Sequence, residues 1–83
     1  MKYRLKIEVS LKARHTDPEG ETTASLLREL GYKVANVNVS KVYLVSIEAT
    51  SQKNAREKGE EICKRLLANP TKDNYAIIVE EEK

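Results

Sequence analysis

The sequence predicts an α+β fold with the element order β-α-β-β-α-β, and three observations support this. Residues 3–11 alternate apolar and mostly charged side chains, which is typical of a strand with one face on a core. Residues 18–30 and 52–68 place apolar side chains three and four positions apart, as amphipathic helices do. Residues 34–50 and 75–79 return to a period of two, which predicts two further strands and then a last one.

The first predicted helix has defined ends. Asp17 is the predicted N-cap, because its carboxylate can accept hydrogen bonds from free N–H groups of the first turn. Pro18 follows at the first helical position, where its missing N–H costs nothing. Gly31 is predicted to end the helix in the left-handed conformation. The apolar stripe of this helix consists of Thr23, Leu26, Leu27 and Leu30.

The middle of the chain is predicted to form a hairpin. Its two strands lie within residues 34–50 and join near Ser40 and Lys41, with a turn type that the sequence leaves open. Val42 and Leu44 make the start of the second of these strands apolar on both faces. If the helices cover only one face of the sheet, the other face needs a cover, and we expect self-association to provide it.

The second predicted helix begins after Ser51, a suitable N-cap, and stops at Asn69 and Pro70. Its apolar stripe consists of Ala55, Gly59, Ile62, Cys63, Leu66 and Leu67. A glycine on that stripe predicts close contact with the sheet. The whole order predicts a ferredoxin-like plait: a single domain over residues 1–83, with a four-stranded antiparallel sheet and two helices on one face.

Composition excludes several classes of protein. Fifteen Lys and Arg against 13 Asp and Glu leave a net charge of +2 over 83 residues, which is too even for a strongly basic nucleic-acid face. The predicted outward strand positions also lack the aromatics that stack RNA bases in plait proteins. No apolar run approaches the roughly 20 residues of a membrane span, so we expect a cytoplasmic protein. The single cysteine, Cys63, is predicted to be a small core residue.

Two short sequence motifs in the chain carry a resemblance to a known family. Residues 11–20 read LKARHTDPEG, and residues 66–70 read LLANP, followed by DNY at 73–75. In this order and spacing, from Tyr3 to about Glu80, the chain resembles the PurS family, the small subunit of phosphoribosylformylglycinamidine synthase. It departs from the family where His15 and Thr16 replace the usual apolar residues and where Ser40-Lys41 replaces Gly-Lys.

The resemblance implies a subunit without catalytic residues of its own, within an ATP-dependent amidoligase of purine biosynthesis. It implies a homodimer or homotetramer that bridges the glutaminase subunit PurQ and the synthetase subunit PurL, so that ammonia passes between them. It also implies that this chain holds no cofactor, and that ATP and magnesium belong to the synthetase.

Six residues are predicted to lie at partner or oligomer interfaces: Asp17, Lys41, Val42, Leu44, Asn69 and Tyr75. Each except the apolar pair also has a simpler interpretation. Asp17 is a helix cap, Lys41 a turn lysine and Asn69 part of a helix stop, while Tyr75 is the start of a strand. His15 near Asp17 could suggest a catalytic pair, but the sequence places no Ser or Cys nucleophile beside them, which favours a solvated histidine.

Two other plait functions are weighed against this one. An ACT-like regulatory domain would bind a small molecule at a dimer interface, near the turn formed by residues 17–20. An acylphosphatase-like hydrolase would need an arginine within a glycine-rich loop after the first strand; Arg14 is present and the glycines are not. Metal-carrying and nucleotide-binding plaits are excluded by the absence of Cys-x-x-Cys, G-x-G-x-x-G and Walker motifs.

Overall fold

The computed structural model describes residues 1–12 and 17–82. They form a three-stranded antiparallel sheet and two α-helices, which confirms the α+β class. The elements in chain order are β1 (Lys2–Leu11), α1 (Pro18–Glu29), β2 (Ser40–Glu48), α2 (Gln52–Ile62), a π-helical turn (Cys63–Leu67) and β3 (Asp73–Glu82).

β1 is the central strand of the sheet, in the order β2-β1-β3. The register places Ile7 opposite Tyr43 on one side and opposite Ile77 on the other. Tyr3, Leu5, Ile7 and Val9 are buried while the residues between them are exposed, which confirms the predicted one-sided strand. The core therefore lies on one face of the sheet, which we call the inner face.

α2 packs on the inner face. The Ser51 Oγ accepts a hydrogen bond from the Asn54 N–H at 3.0 Å, which confirms the predicted N-cap. Gly59 is buried, and a Cβ atom there would lie 3.2 Å from Leu5 Cδ1 and 3.4 Å from Ile77 Cδ1. The predicted close approach of this glycine to the sheet is confirmed, because a Cβ atom there would lie closer to Leu5 than ordinary contact and would touch Ile77.

The end of the second helix differs from the prediction. The α-helix ends at Ile62 and continues as the π-helical turn, in which the Ala68 N–H donates to the Cys63 carbonyl at 2.9 Å. A π turn holds more residues than an α turn, so side chains after it no longer follow the α-helical spacing. Leu66, predicted on the buried stripe, is 80% exposed, whereas Cys63 is fully buried as predicted.

The predicted fourth strand and its hairpin are wrong. Within residues 17–82, no strand lies between α1 and β2, and Ser40 and Lys41 begin β2 instead of forming a turn. The backbone of this segment bonds to side chains. Arg28 donates to the Val34 carbonyl from Nε at 3.0 Å and to the Ala35 carbonyl from Nη2 at 2.9 Å. Because α1 satisfies these groups, the segment needs no neighbouring strand, and the order becomes β-α-β-α-β.

The prediction of two helices on one face of the sheet is also wrong. Leu26 and Leu30 of the predicted α1 stripe are 54% and 74% exposed, and the described core cluster includes no residue of α1. α1 buries only Gly20 and Ala24. The Cα radius of gyration is 16.2 Å, against about 12 Å for a compact chain of this length. α1 therefore stands away from the sheet, and Gly31 ends its turn with the predicted positive φ of 98°.

Candidate functional site

The face of the sheet opposite α2, which we call the outer face, carries exposed apolar side chains. Val42 and Leu44 lie there on β2, and Ile78 lies there on β3, with exposures of 49%, 62% and 52%. Between them, β1 presents a charged row made of Lys2, Arg4, Lys6 and Glu8. The predicted second apolar face of β2 is present, and the matching Ile78 on the far strand extends it across the sheet.

One end of the outer face is occupied by an internal polar cluster. The Glu82 Oε1 accepts from the Ser46 hydroxyl at 2.9 Å and lies 3.5 Å from the Arg4 Nε. These three residues come from all three strands. The cluster uses the charge of Arg4 within the chain, so the remainder of the outer face is the part open to a partner.

Asp17 joins the start of α1 to the start of β2. One carboxylate oxygen accepts from the Gly20 N–H at 2.9 Å and the other from the Val39 N–H at 2.8 Å. These two backbone hydrogen bonds, that of Val39 first, hold the pKa of Asp17 below its usual value. The predicted N-cap is confirmed. His15 and Arg14, the other candidates near this corner, lie outside the described residues.

Asn69 organises the corner between α2 and β3. Its N–H donates to the Asp73 carboxylate at 2.8 Å, and its side-chain oxygen accepts from the Thr71 N–H at 2.9 Å. The Lys12 Nζ reaches across from the end of β1 to the Pro70 carbonyl at 2.9 Å. The predicted helix stop is confirmed, and the corner is bonded to β1 as well.

Lys41 lies between these two corners. Its side chain is exposed on edge strand β2, and it lines a groove of about 290 Å³ together with Asp17, Tyr43, Leu67 and Asp73. The structure thus brings Lys41 near Asp17 and near the Asn69 corner, although these residues are far apart in sequence. An exposed ammonium between two bonded corners is a suitable contact for an acidic group of a partner.

Tyr75 lies apart from the outer face. It is half-buried on the inner side of β3, and its hydroxyl donates to the Glu60 Oε2 at 2.5 Å. This hydrogen bond, followed by burial, raises the pKa of Tyr75. Burial, followed by the Glu60 carboxylate, raises the pKa of the free thiol of Cys63. Tyr75 therefore ties β3 to α2, and this contact explains its position without a partner.

Three residues tie segments of the fold together without a signal in the sequence: Lys12, Arg28 and Glu60. Lys12 belongs to the motif at residues 11–20, but nothing in the sequence shows that its ammonium reaches the Pro70 carbonyl, 58 positions later. Arg28 stands on the predicted helix next to the stripe, where a solvated charge is the usual expectation. Their roles depend on which segments the fold brings together.

The described residues show neither a metal site nor a membrane span. In residues 1–12 and 17–82, no group of three or more His, Cys, Asp or Glu side chains could hold a metal ion. Over the same ranges, no helix has the length and apolar character needed to cross a bilayer.

Comparison with known proteins gives consistent matches along the chain. The family model PurS, described as phosphoribosylformylglycinamidine (FGAM) synthase, matches residues 4–81. The PurS subunit of this synthase from Archaeoglobus fulgidus is 42% identical over 73 residues, which cover 87% of this chain and 91% of that protein. The solved structure of Thermus thermophilus PurS covers 100% of both chains at 31% identity with a TM-score of 0.88.

A chain in the solved structure of PurLQS from Thermotoga maritima is also similar. It is 28% identical, covers 96% of this chain and 99% of its own, and has a TM-score of 0.87. Since the family model spans nearly the whole sequence and the relatives match at nearly full length, the chain belongs to the PurS family, the PurS subunit of phosphoribosylformylglycinamidine synthase.

Proposed function

We propose that this chain joins a glutaminase subunit, PurQ, to a synthetase subunit, PurL, within phosphoribosylformylglycinamidine synthase. The observation that carries the proposal is its likeness to a chain of the Thermotoga maritima PurLQS structure over nearly its full length. The chain contributes contact surfaces, and the reacting groups come from the two larger subunits. It acts in the cytoplasm, where purine synthesis takes place.

In this proposal, ammonia must pass from the glutaminase subunit to the synthetase subunit. The glutaminase hydrolyses glutamine to glutamate and ammonia, and the synthetase uses ATP with magnesium to activate the amide oxygen of formylglycinamide ribonucleotide. Ammonia then displaces that oxygen as phosphate, which leaves the amidine and ADP. The small subunit holds the two larger ones in a fixed relative position, so that ammonia passes to the synthetase without escaping to solvent.

The groove around Lys41 is the surface that we assign to a larger subunit. Its ammonium is exposed, and the neighbouring Asp17 and Asn69 corners are held by several backbone hydrogen bonds. A preordered corner loses little entropy when it binds a partner. The outer face, with Val42 and Leu44, is assigned to self-association into a dimer or tetramer, which leaves the groove free for the larger subunits.

Copurification tests this proposal directly. A tagged chain is used to capture proteins from an extract of its own organism with glutamine, ADP and magnesium present, and the captured proteins are identified by mass spectrometry. We expect a glutaminase and a large ATP-binding synthetase in the eluate. Recovery of the chain alone, as a stable oligomer under these conditions, would contradict the bridging role.

A charge reversal at Lys41 sharpens the test. Lys41→Glu should reduce recovery of the larger subunits without loss of helix content, because the side chain is exposed and does not support the core. Lys53→Glu is the matched control: it makes the same change in net charge at an exposed position on α2, away from the groove. Equal recovery with both variants would show that Lys41 is a surface lysine without a partner.

A further inference from the structure

β2 and β3 each have one edge with which no other strand of the described chain pairs, because β1 lies between them. The Lys12 N–H donates to the Lys72 carbonyl at 2.7 Å, which continues the pairing of β1 with β3. In an antiparallel pair, the backbone groups of alternate residues face the partner strand and those between them face away. Even-numbered residues of β3 therefore face β1, and the N–H and C=O groups of Tyr75, Ile77 and Val79 point to the free edge.

The same alternation identifies the backbone groups at the free edge of β2. The Ala49 N–H donates to the Met1 carbonyl at 3.0 Å, which continues the pairing of β1 with β2. Odd-numbered residues of β2 therefore face β1, and even-numbered ones point away from it. The carbonyl of Glu48, the last residue of β2, lies at this free edge.

Two cations of α2 bond to these edges, one to each. The Arg56 Nη1 donates to the Ile77 carbonyl at 3.2 Å, and the Lys58 Nζ donates to the Glu48 carbonyl at 2.9 Å. Both side chains are exposed, and neither makes an ion pair within residues 1–12 and 17–82. Each cation therefore bonds to a main-chain oxygen of an edge strand, although α2 also carries carboxylates.

Helix geometry explains how one helix reaches both edges of the sheet. Ala55 and Gly59 are buried and form the side of α2 that faces the core. Successive residues are about 100° apart around an α-helix, so Arg56 lies on one side of this buried stripe and Lys58 on the other. The two edges of a three-stranded sheet are about 10 Å apart, close to the diameter of a helix with its side chains. A single helix on the inner face can therefore place one cation at each edge.

The two edge strands contain segments that pair readily with other strands. Residues 74–79 of β3 read NYAIIV, and residues 42–47 of β2 read VYLVSI. Neither segment contains a charge or a proline, and both are rich in β-branched and aromatic residues. Such a segment at a strand edge favours pairing with the same segment of other chains. Ile77 lies within the β3 segment, whereas Glu48 follows directly after the β2 segment.

We propose that Arg56 blocks the addition of a further β-strand at the β3 edge, and that Lys58 does so less completely at the β2 edge. An incoming strand must displace Arg56 from the Ile77 carbonyl and cover its guanidinium. Removing an unpaired cation from water opposes this pairing. Lys58 bonds only to the end of β2, which leaves residues 42–47 without such a block from α2. This role concerns the strand edges and does not depend on contacts with the larger subunits.

Aggregation of the purified chain tests the proposal. Thioflavin T fluorescence and the pelleted fraction are followed with shaking, below the unfolding temperature of every variant. Arg56→Ala should shorten the lag before ordered aggregation about fivefold or more, because it opens the β3 edge. Arg65→Ala is the matched control, since it removes the same charge from an exposed arginine that lies 3.4 Å from Glu61. Arg56→Lys should keep most of the protection, and Lys58→Ala should have a smaller effect than Arg56→Ala.

A second substitution separates an open edge from a loss of stability. Ala76 is exposed on the outer face, within the uncharged segment of β3. The double variant R56A/A76K therefore places a charge in this segment without restoring the hydrogen bond to Ile77. It should return the lag to that of the original chain, whereas a variant that aggregates because it unfolds more readily would not be rescued. Hydrogen exchange of the Arg56→Ala aggregates should show new protection in residues 74–79.

Three results would overturn the proposal. The first is aggregation of Arg56→Ala at the rate of Arg65→Ala, which includes the case in which neither variant aggregates. The second is a double variant R56A/A76K that aggregates as fast as Arg56→Ala. The third is new protection in α1 or β2 in place of residues 74–79, because aggregation would then begin at another part of the chain.

Discussion

α1 and α2 are both amphipathic helices with good N-caps, but they use their apolar stripes differently. α2 and the π-helical turn that continues it bury the small residues Ala55, Gly59 and Cys63 in the core. α1 buries Gly20 and Ala24 and leaves Leu26 and its C-cap residue, Leu30, largely exposed. Helical periodicity shows which side of a helix is apolar, whereas what covers that side depends on where the connecting segments allow the helix to lie.

The largest expected change in stability contrasts a core leucine with the leucine that caps the C-terminal end of α1. Leu5→Ala removes a fully buried side chain beneath α2 and should lower the free energy of unfolding by about 2–5 kcal/mol. Leu30→Ala, the matched change at a residue that is 74% exposed, should alter it by less than about 0.5 kcal/mol. Urea unfolding at low protein concentration measures both. Similar losses would mean that α1 packs on the sheet after all.

The next largest loss of stability is expected at Gly20, the glycine that α1 buries. A methyl group at Gly20 would collide with the Val37 carbonyl oxygen and also lie 3.0 Å from the Asp17 carboxylate. Gly20→Ala should therefore cost about 1–3 kcal/mol, because the obstacle is backbone and the segment before β2 must move. Amide exchange should show the loss first in residues 34–39. An unchanged exchange pattern there would show that α1 and this segment are not packed together.

A smaller effect is expected for the same substitution in α2. Gly59→Ala gains about 1 kcal/mol of helix propensity, and its Cβ meets only the ends of the Leu5 and Ile77 side chains. These side chains can shift by a few tenths of an ångström, so the gain in helix propensity and the cost of this shift nearly cancel. The free energy of unfolding, measured by thermal unfolding, should change by less than about 1 kcal/mol. A loss as large as that of Gly20→Ala would show that the contact between α2 and the sheet is as rigid as that between α1 and its segment.

The smallest expected effect is on the pH dependence of stability, and it comes from Asp17 at the start of α1. Because the folded pKa of Asp17 lies below its unfolded value, the unfolded state binds the proton more readily and stability falls as the pH drops below about 4. Asp17→Asn should be less stable at neutral pH and should show a weaker dependence in this acidic range. Glu19→Gln, an exposed first-turn change, is the control for charge at this helix end. Identical acid profiles for Asp17→Asn and the original chain would contradict the role of the two backbone hydrogen bonds.

Much of the local structure could be predicted because it depends on neighbours in the sequence. Asp17, Ser51 and Gly31 act as predicted, since a cap or a left-handed residue needs only the adjacent turn. The sequence motifs around Asp17 and Asn69 also indicated the family correctly. Of the candidate interface residues, the structure places Val42 and Leu44 on the outer face and Lys41 in the groove; their contacts with partners stay predictions.

By itself, the sequence determined the strands β1, β2 and β3, the two helix starts, the helix stop at Asn69 and the one-sided core, because alternation and capping are properties of short segments. The tertiary structure decided what happens to residues 34–39. Their alternation is compatible with a strand, but the Arg28 guanidinium and the Asp17 carboxylate bond their backbone to α1 and remove the need for a strand partner. The same competition for backbone hydrogen bonds leaves the sheet with three strands and α1 away from the core. The apolar residues Val42, Leu44 and Ile78 of the outer face stay exposed.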